Sequence, residues 1–206
     1  MKKIFLFFAA VAMTAGVMSA QDINQATEAY NNGAMELQMG NNAAAIENFQ
    51  TALTMGEALG DEAADLVANC KKAISSAYLS MAKDLYNAKD FDGALTAFQQ
   101  AKEVAEGYGE ADIAAEAAEL IGQTEMVKFN DEGKAAMKAK DYPTAIAAFT
   151  KVLEMDPTNG ATAIQLGQAY MRAGQLDESI AALETAKANG QEANAVKLIA
   201  QNYLKK

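Results

Sequence analysis

Apolar residues recur at every third or fourth position through most of the chain, which is the spacing of one helix face. In the stretch 142–155 they are Tyr142, Ala145, Ile146, Phe149, Val152 and Leu153. Asp141 precedes this stretch as a candidate N-cap, and Pro143 lies in its first turn, where a missing N–H costs little. Pro157 disfavours helical geometry at the residue before it, so we expect the helix to end ahead of that proline.

A turn and a second helix are predicted after Pro157. Residues 158–160 read Thr-Asn-Gly and favour a turn. The next apolar face holds Ala163, Leu166, Gly167 and Tyr170. Gly174 is placed to supply a left-handed C-terminal cap. Gly167 would cost a helix interior about 1 kcal/mol relative to alanine, so we expect it to allow close approach of the paired helix.

This helix pair recurs with a fixed period. Gly133 and Gly167, Phe149 and Leu183, and Val152 and Ala186 are each 34 residues apart. Earlier copies carry Gly33, Ala45, Phe49 and Ala52, and then Tyr78, Ala82, Ala94, Phe98 and Ala101. A period of this size indicates stacked helix–turn–helix units rather than one globular core. We expect Phe49, Phe98 and Phe149 to be buried at equivalent points between paired helices.

The earlier units are longer, because Phe49, Phe98 and Phe149 follow one another at 49 and 51 residues. An insertion of about 15 residues corresponds to about four helical turns and preserves the buried face. Both inserts contain glycine followed by acidic residues, which favour a helix start. We predict extended helices at roughly 62–88 and 110–139, with a separate short helix in each insert as the alternative.

The pattern resembles the tetratricopeptide repeat. Its large and small positions are matched by Ala163, Leu166, Gly167, Tyr170, Leu183 and Ala186, and Pro157 matches the closing proline. Ser179 replaces the usual alanine and Leu183 the usual aromatic residue. The resemblance implies an all-α superhelical solenoid of antiparallel helix pairs. Repeats would lie at about 26–59, 75–108, 126–159 and 160–193.

A last helix follows Gly190 and is predicted to cap the array at 192–205. Its apolar face would hold Ala195, Val196, Ile199 and Tyr203. A repeat array needs such a helix because its end otherwise exposes an apolar surface.

The resemblance also implies a concave groove lined by the first helix of each repeat. The positions carried over as a partner-binding groove are Tyr30, Leu37, Lys83, Tyr86, Asn130, Lys134, Met137, Lys138, Gln168, Met171 and Arg172. All charged members are basic. Asn130 and Lys134 stand in the reverse order from family members that clamp a C-terminal carboxylate. The groove is therefore expected to bind a peptide or helix of acidic character or a C-terminal segment, unless the lysines are ordinary solvated residues.

The first twenty residues resemble a bacterial secretory signal. Lys2 and Lys3 precede the apolar stretch 4–12, and small residues lead to a predicted cleavage after Ala20. An uncleaved membrane anchor is the alternative. Cleavage would leave a repeat domain at 21–206 in the periplasm or associated with the outer membrane. It would have 15 basic and 27 acidic residues, a net charge of −12, which argues against nucleic acid and anionic membranes.

Residues for catalysis are scarce. The sequence contains no histidine, the commonest general base and metal ligand. No phosphate-binding loop occurs, and the carboxylates lack calcium-loop spacing. The single cysteine, Cys70, cannot form an internal disulfide and is predicted to be buried. We expect no enzymatic activity, cofactor or metal, and an adaptor or scaffold for other envelope proteins. A self-assembling structural protein is the alternative.

Overall fold

The computed structural model describes residues 20–205, and over this range the chain is helical without a strand. The α-helices are α1 (Ala20–Gln38), α2 (Asn42–Leu59), α3 (Ala64–Asn87), α4 (Phe91–Tyr108), α5 (Ala111–Ala139), α6 (Tyr142–Met155), α7 (Gly160–Ala173), α8 (Leu176–Ala188) and α9 (Glu192–Tyr203). The predicted all-α class is confirmed. The predicted leader lies outside the described residues except for Ala20. No helix between residues 20 and 205 is long and apolar enough to cross a membrane.

The chain divides into two compact units within α3, the first ending at Ile74 and the second beginning at Ser75. In the first unit α1 packs against α2. The ring of Phe49 fills the space between them and is 1% exposed. A Cβ atom added at Gly33 of α1 would lie 2.7 Å from Cδ1 of that ring. The missing side chain therefore lets the phenylalanine reach the neighbouring helix.

In the second unit, α4 to α9 each pack against the next helix in sequence, and α7 also contacts α9. Short connections join them, as is usual for antiparallel neighbours. One apolar cluster contains side chains from α5, α6, α7 and α8: Ala136, Ala145, Phe149, Leu166, Ala169 and Ala182. A second joins α7, α8 and α9 through Ala163, Leu183, Ala186 and Ala195. This arrangement is the predicted succession of helix pairs.

Two predicted packing features are confirmed. Phe98 and Phe149, like Phe49, are 1% exposed. A Cβ at Gly167 would lie 2.6 Å from Cγ of Leu183, and one at Gly133 would lie 2.5 Å from Cε1 of Phe149. These distances are too short for an unmoved neighbour, so a glycine inside each helix is explained by close contact with the paired helix.

The predicted ends of α6 and α7 are also confirmed. The carboxylate of Asp141 accepts a hydrogen bond from the Thr144 N–H at 3.2 Å, and α6 ends at Met155. Gly174 caps α7 with φ +81°. Gly160 differs from its predicted place in the turn, because it is the first residue of α7. A Cβ there would lie 2.4 Å from the Asn189 carbonyl oxygen, so close approach explains this glycine.

The inserts lengthen helices, as predicted. α3 has 24 residues and α5 has 29, whereas α7 has 14. The second insert forms the end of α4 and the start of α5, and the first adds only a four-residue 3₁₀ turn, Gly60–Ala63. The alternative of a separate short helix is wrong for the second insert, because α4 and α5 take up its residues. In the first insert a short helix is present beside the lengthened α3, as the 3₁₀ helix Gly60–Ala63.

The orientation predicted for α9 is partly wrong. Ala195 is buried and Ile199 is half-buried as expected, but Val196 is 48% and Tyr203 is 62% exposed. Leu198 and the fully buried Asn202 face inward with Ala195 and Ile199. The cause is polar: the Asn202 amide donates to Oγ of Ser179 at 2.8 Å. That hydrogen bond turns the face containing Asn202 towards α8.

Candidate functional site

The predicted groove residues fall on two units, which are described separately. Tyr30 and Leu37 lie on α1 in the first unit. The remaining nine lie in the second unit, on α3, α5 and α7: Lys83, Tyr86, Asn130, Lys134, Met137, Lys138, Gln168, Met171 and Arg172. Within its own unit, each predicted residue therefore lies on the first helix of a helix pair.

In the first unit, Tyr30 and Leu37 are both half-buried. The Tyr30 ring packs against Phe49 with centroids 5.3 Å apart and planes inclined by 51°. Part of Tyr30 therefore belongs to the core between α1 and α2. Its remaining exposed surface, together with that of Leu37, is what a partner could contact.

In α3, both predicted groove residues already have intramolecular partners. Nζ of Lys83 donates to Oε1 of Glu116 on α5 at 2.7 Å. The Tyr86 ring meets Phe91 edge-on with centroids 5.8 Å apart. The charge of Lys83 is neutralised locally, although an exposed pair of this kind contributes only about 0–1 kcal/mol and can exchange partners.

In α5, the four predicted residues differ in their surroundings. Nζ of Lys134 lies 3.8 Å from Oδ1 of Asp131, one turn away on the same helix. Met137 is half-buried against the apolar cluster that joins α5 to α8. Oδ1 of the half-buried Asn130 is shielded from solvent and has no hydrogen-bond partner in the described residues. Lys138 is exposed in the last turn.

The arrangement repeats in α7. Gln168 and Met171 are half-buried, and Arg172 is exposed in the last turn. Between residues 20 and 205, neither Lys138 nor Arg172 forms a salt bridge, unlike Lys83 and Lys134. The structure therefore leaves two unpaired cations at equivalent places in successive helix pairs, each one residue after a half-buried methionine.

Sequence reasoning missed the ion pair between Lys128 of α5 and Asp92 of α4. The hydrogen bond from Lys128 to Asp92 raises the pKa of the lysine. The two residues are 36 positions apart, and their spacing gives no periodic signal. The pair ties α4 to α5 and leaves Lys128 less available to an acidic partner.

The described residues offer little reactive chemistry. Burial raises the pKa of the Cys70 thiol to about 11, so the thiol stays protonated at neutral pH. Between residues 20 and 205 no group of three or more histidine, cysteine or acidic side chains is arranged to hold a metal ion.

Sequence reasoning also missed a buried polar chain at the end of the second unit. Oγ of Ser179 donates to the Gly167 carbonyl oxygen at 2.7 Å and accepts from the Asn202 amide. Ser179 and Asn202 are fully buried. The serine at the position where an alanine was expected was the available signal, because a buried hydroxyl requires a partner.

Comparison with known proteins agrees with this architecture. Residues 136–201 match the family model described as tetratricopeptide repeat, a segment that contains α6 to α8 and most of α9. No curated protein matches the chain.

Several solved structures are similar at low identity. The C-terminal TPR-containing domain of a putative FK506-binding protein from Plasmodium falciparum is 20% identical, with 67% of this chain and 91% of that chain covered and a TM-score of 0.40. The TPR2AB domain of yeast Sti1 is 15% identical, with 88% and 84% covered and a TM-score of 0.38. MamA of Desulfovibrio magneticus RS-1 is 18% identical, with 88% and 93% covered and a TM-score of 0.30. Likenesses of this degree carry no information about a shared ligand.

Proposed function

We propose that this chain, a protein of the tetratricopeptide-repeat family, is a non-enzymatic adaptor or scaffold that binds an acidic segment of another protein. The observation that carries the proposal is the repeated pair on α5 and α7. Lys138 and Arg172 are exposed and unpaired within the described residues, and each follows a half-buried methionine. These cations belong to a chain whose net charge is −10.

The two residue types have different roles in the proposed binding. Met137 and Met171 keep part of their flexible apolar side chains accessible, and methionine adapts to varied partner surfaces. Covering them supplies affinity. Lys138 and Arg172 attract negative charge, which mainly raises the association rate and selects among partners. The basic residues Lys83 and Lys134 contribute less, because each already has an acidic neighbour.

The experiment uses amphipathic peptides that are matched in apolar residues and differ in net charge. We expect the parent protein to bind the acidic peptides fastest. A Lys138→Glu/Arg172→Glu variant should associate about tenfold more slowly with them at low salt. A Lys151→Glu/Lys187→Glu variant is the matched control, because it carries the same charge change on α6 and α8 at exposed, ion-paired lysines. Equal rates for the two variants would refute the assignment.

The proposed location is the periplasm or the outer membrane of a bacterium. It rests on the basic start, apolar stretch and small residues of positions 1–20. Cell fractionation with N-terminal sequencing tests it. The expected result is a protein in the envelope fraction that begins at Gln21. A cytoplasmic protein that retains Met1 would contradict this part of the proposal without affecting the peptide-binding experiment.

A second candidate function is self-assembly into a structural component of the envelope. It is favoured by the exposed apolar residues on the outer side of α9, among them Val196 and Leu204. These residues are separate from the cations of α5 and α7, so the two candidate functions are compatible.

A further inference from the structure

One cation of the proposed groove is covered by a carboxylate of the chain itself. Nζ of Lys83 on α3 donates to Oε1 of Glu116 on α5 at 2.7 Å. The two helices are not consecutive, because α4 lies between them in the sequence. Both are first helices of helix pairs, and both residues belong to the second unit. The ion pair therefore lies where two first helices adjoin, which is the side on which the groove is proposed.

Both members of this ion pair are open to solvent. The side chain of Lys83 is 44% exposed and that of Glu116 is 49% exposed. An exposed ion pair stabilises a fold only slightly, because water screens the attraction and both side chains lose conformational freedom when it forms. A carboxylate from another molecule can therefore reach Lys83, but it meets Glu116 there as a competitor.

The other basic residues of the proposed groove have different surroundings. Nζ of Lys134 lies 3.8 Å from Oδ1 of Asp131, one turn away on the same helix, where side chains of opposite charge commonly meet. Lys138 and Arg172 form no salt bridge within the described residues. In that part of the chain, Glu116 is therefore the acidic residue that a different helix directs at a groove cation.

We propose that Glu116 is a specificity-determining residue of the groove, because it blocks Lys83 as a competing docking point for acidic ligands. An acidic residue of the ligand is thereby directed to Lys138 and Arg172. Glu116 thus fixes the position at which the acidic segment lies along the groove. This inference rests on the proposed function, since it concerns the same site and the same class of ligand.

The selection follows from the difference between exchange and addition. At Lys83 a ligand carboxylate has to displace the Glu116 carboxylate and then lies beside it, and like charges brought together are unfavourable. Exchanging one carboxylate for another also yields little free energy. At Lys138 and Arg172 a ligand carboxylate displaces only water, so its attraction to the cation is a net gain.

Removing the charge of Glu116 should open Lys83 as a second docking point. The axes of packed helices lie about 8–10 Å apart, which an extended peptide spans in about three residues. The probes are therefore three synthetic peptides with identical apolar residues. One has no acidic residue, one has a single acidic residue, and one has two acidic residues about three positions apart. They are called the neutral, one-acid and two-acid peptides.

Fluorescence anisotropy of the labelled peptides at low salt tests the proposal on the full chain. Glu116→Gln should bind the two-acid peptide about two- to fivefold more tightly than the parent does, the range that an exposed ion pair allows. Adding Lys83→Gln to this variant should abolish the gain. Asp92→Asn is the matched control, because it removes the same charge and breaks the pair with Lys128, another ion pair between helices that lies outside the predicted groove set. It should leave the affinity unchanged.

Acylation of lysines, read by mass spectrometry of the digested protein, shows which ammonium groups the peptide covers. In the parent the two-acid peptide should protect Lys138 and not Lys83, and in Glu116→Gln it should protect both. Equal affinities of Glu116→Gln and Asp92→Asn would overturn the proposal. So would a gain that survives Lys83→Gln, or equal protection of Lys83 in parent and variant. If the parent binds the one-acid peptide no better than the neutral one, the proposed function itself fails, and this inference fails with it.

Discussion

Gly133 and Gly122 both lie in α5, but a methyl group added at each would meet different surroundings. At Gly122 no atom outside the local helix backbone lies within 4 Å of the new Cβ. At Gly133 the new Cβ would lie 2.5 Å from Cε1 and 2.8 Å from Cδ1 of Phe149. The ring is 1% exposed and has little room to withdraw. Comparing glycine-to-alanine substitutions at these two positions of one helix therefore isolates the steric contribution of the Phe149 ring to stability.

Gly122→Ala should stabilise the protein by about 0.5–1 kcal/mol, because alanine is a better helix former than glycine. Gly133→Ala gains the same propensity but forces the Phe149 ring aside, and overpacking of this kind costs about 1–3 kcal/mol. We expect the two variants to differ by about 1–3 kcal/mol, with Gly133→Ala the less stable. Phe149→Ala should remove the penalty, since the new methyl group then enters vacated space.

The assay is urea unfolding followed by the helical circular dichroism signal, with the free energy of unfolding fitted for the two single variants, Phe149→Ala and the Gly133→Ala/Phe149→Ala double variant. The double variant should be more stable than the sum of its single changes predicts by about 1 kcal/mol or more. Ala82 stands 16 residues before Phe98, as Gly133 stands before Phe149, and it is fully buried, so the equivalent repeat position accommodates a methyl group in that unit. If Gly133→Ala proves as stabilising as Gly122→Ala, the Phe149 ring shifts at no cost and the steric reasoning is refuted.

The remaining predictions concern the core and the single thiol. Phe49→Ala, Phe98→Ala and Phe149→Ala should each cost about 3–5 kcal/mol in thermal or urea unfolding, and near-neutral results for all three would contradict their assignment to the core. Ser179→Ala should cost about 1–3 kcal/mol, because it leaves the Asn202 amide and the Gly167 carbonyl without their partner. Ser179→Thr should cost less if its hydroxyl keeps both bonds. The Cys70 thiol has a pKa raised from 9.0 to about 11, so its contribution to stability is present below pH 9 and is lost as the pH rises towards 11. Cys70→Ala should lessen this alkaline loss, and an alkylating reagent should label the thiol only after unfolding.

Much of the architecture follows from local pattern. The apolar spacing of 142–155, Asp141 as its N-cap and Pro157 after its end predict α6 without reference to any distant residue. The glycine at 167 predicts close helix contact, because a glycine inside a helix needs a compensating reason. Recurrence at a fixed period then predicts stacked helix pairs, since each unit buries its apolar face only against its neighbours.

Which basic residues of the candidate site are paired with an acidic residue depended on tertiary structure. Lys83 meets Glu116 from 33 residues away, and Lys128 meets Asp92 from 36 residues away. Such pairs have no periodic signature in the sequence. Four basic residues were predicted to face a partner, but of these only Lys138 and Arg172 form no salt bridge within the described chain.

The orientation of α9 also depends partly on local sequence and partly on tertiary contacts. Its sequence determines that a helix forms from Glu192 and that apolar residues lie on more than one side. From spacing alone, Val196 and Tyr203 are as suited to the inner face as Leu198. Ser179, 23 residues before Asn202, determines which side of α9 faces inward. The buried hydroxyl and the buried amide can form their hydrogen bond in only one rotation of the helix. Local patterning determines which segments are helical, and the pairing of buried polar groups between helices determines which side each one presents to solvent.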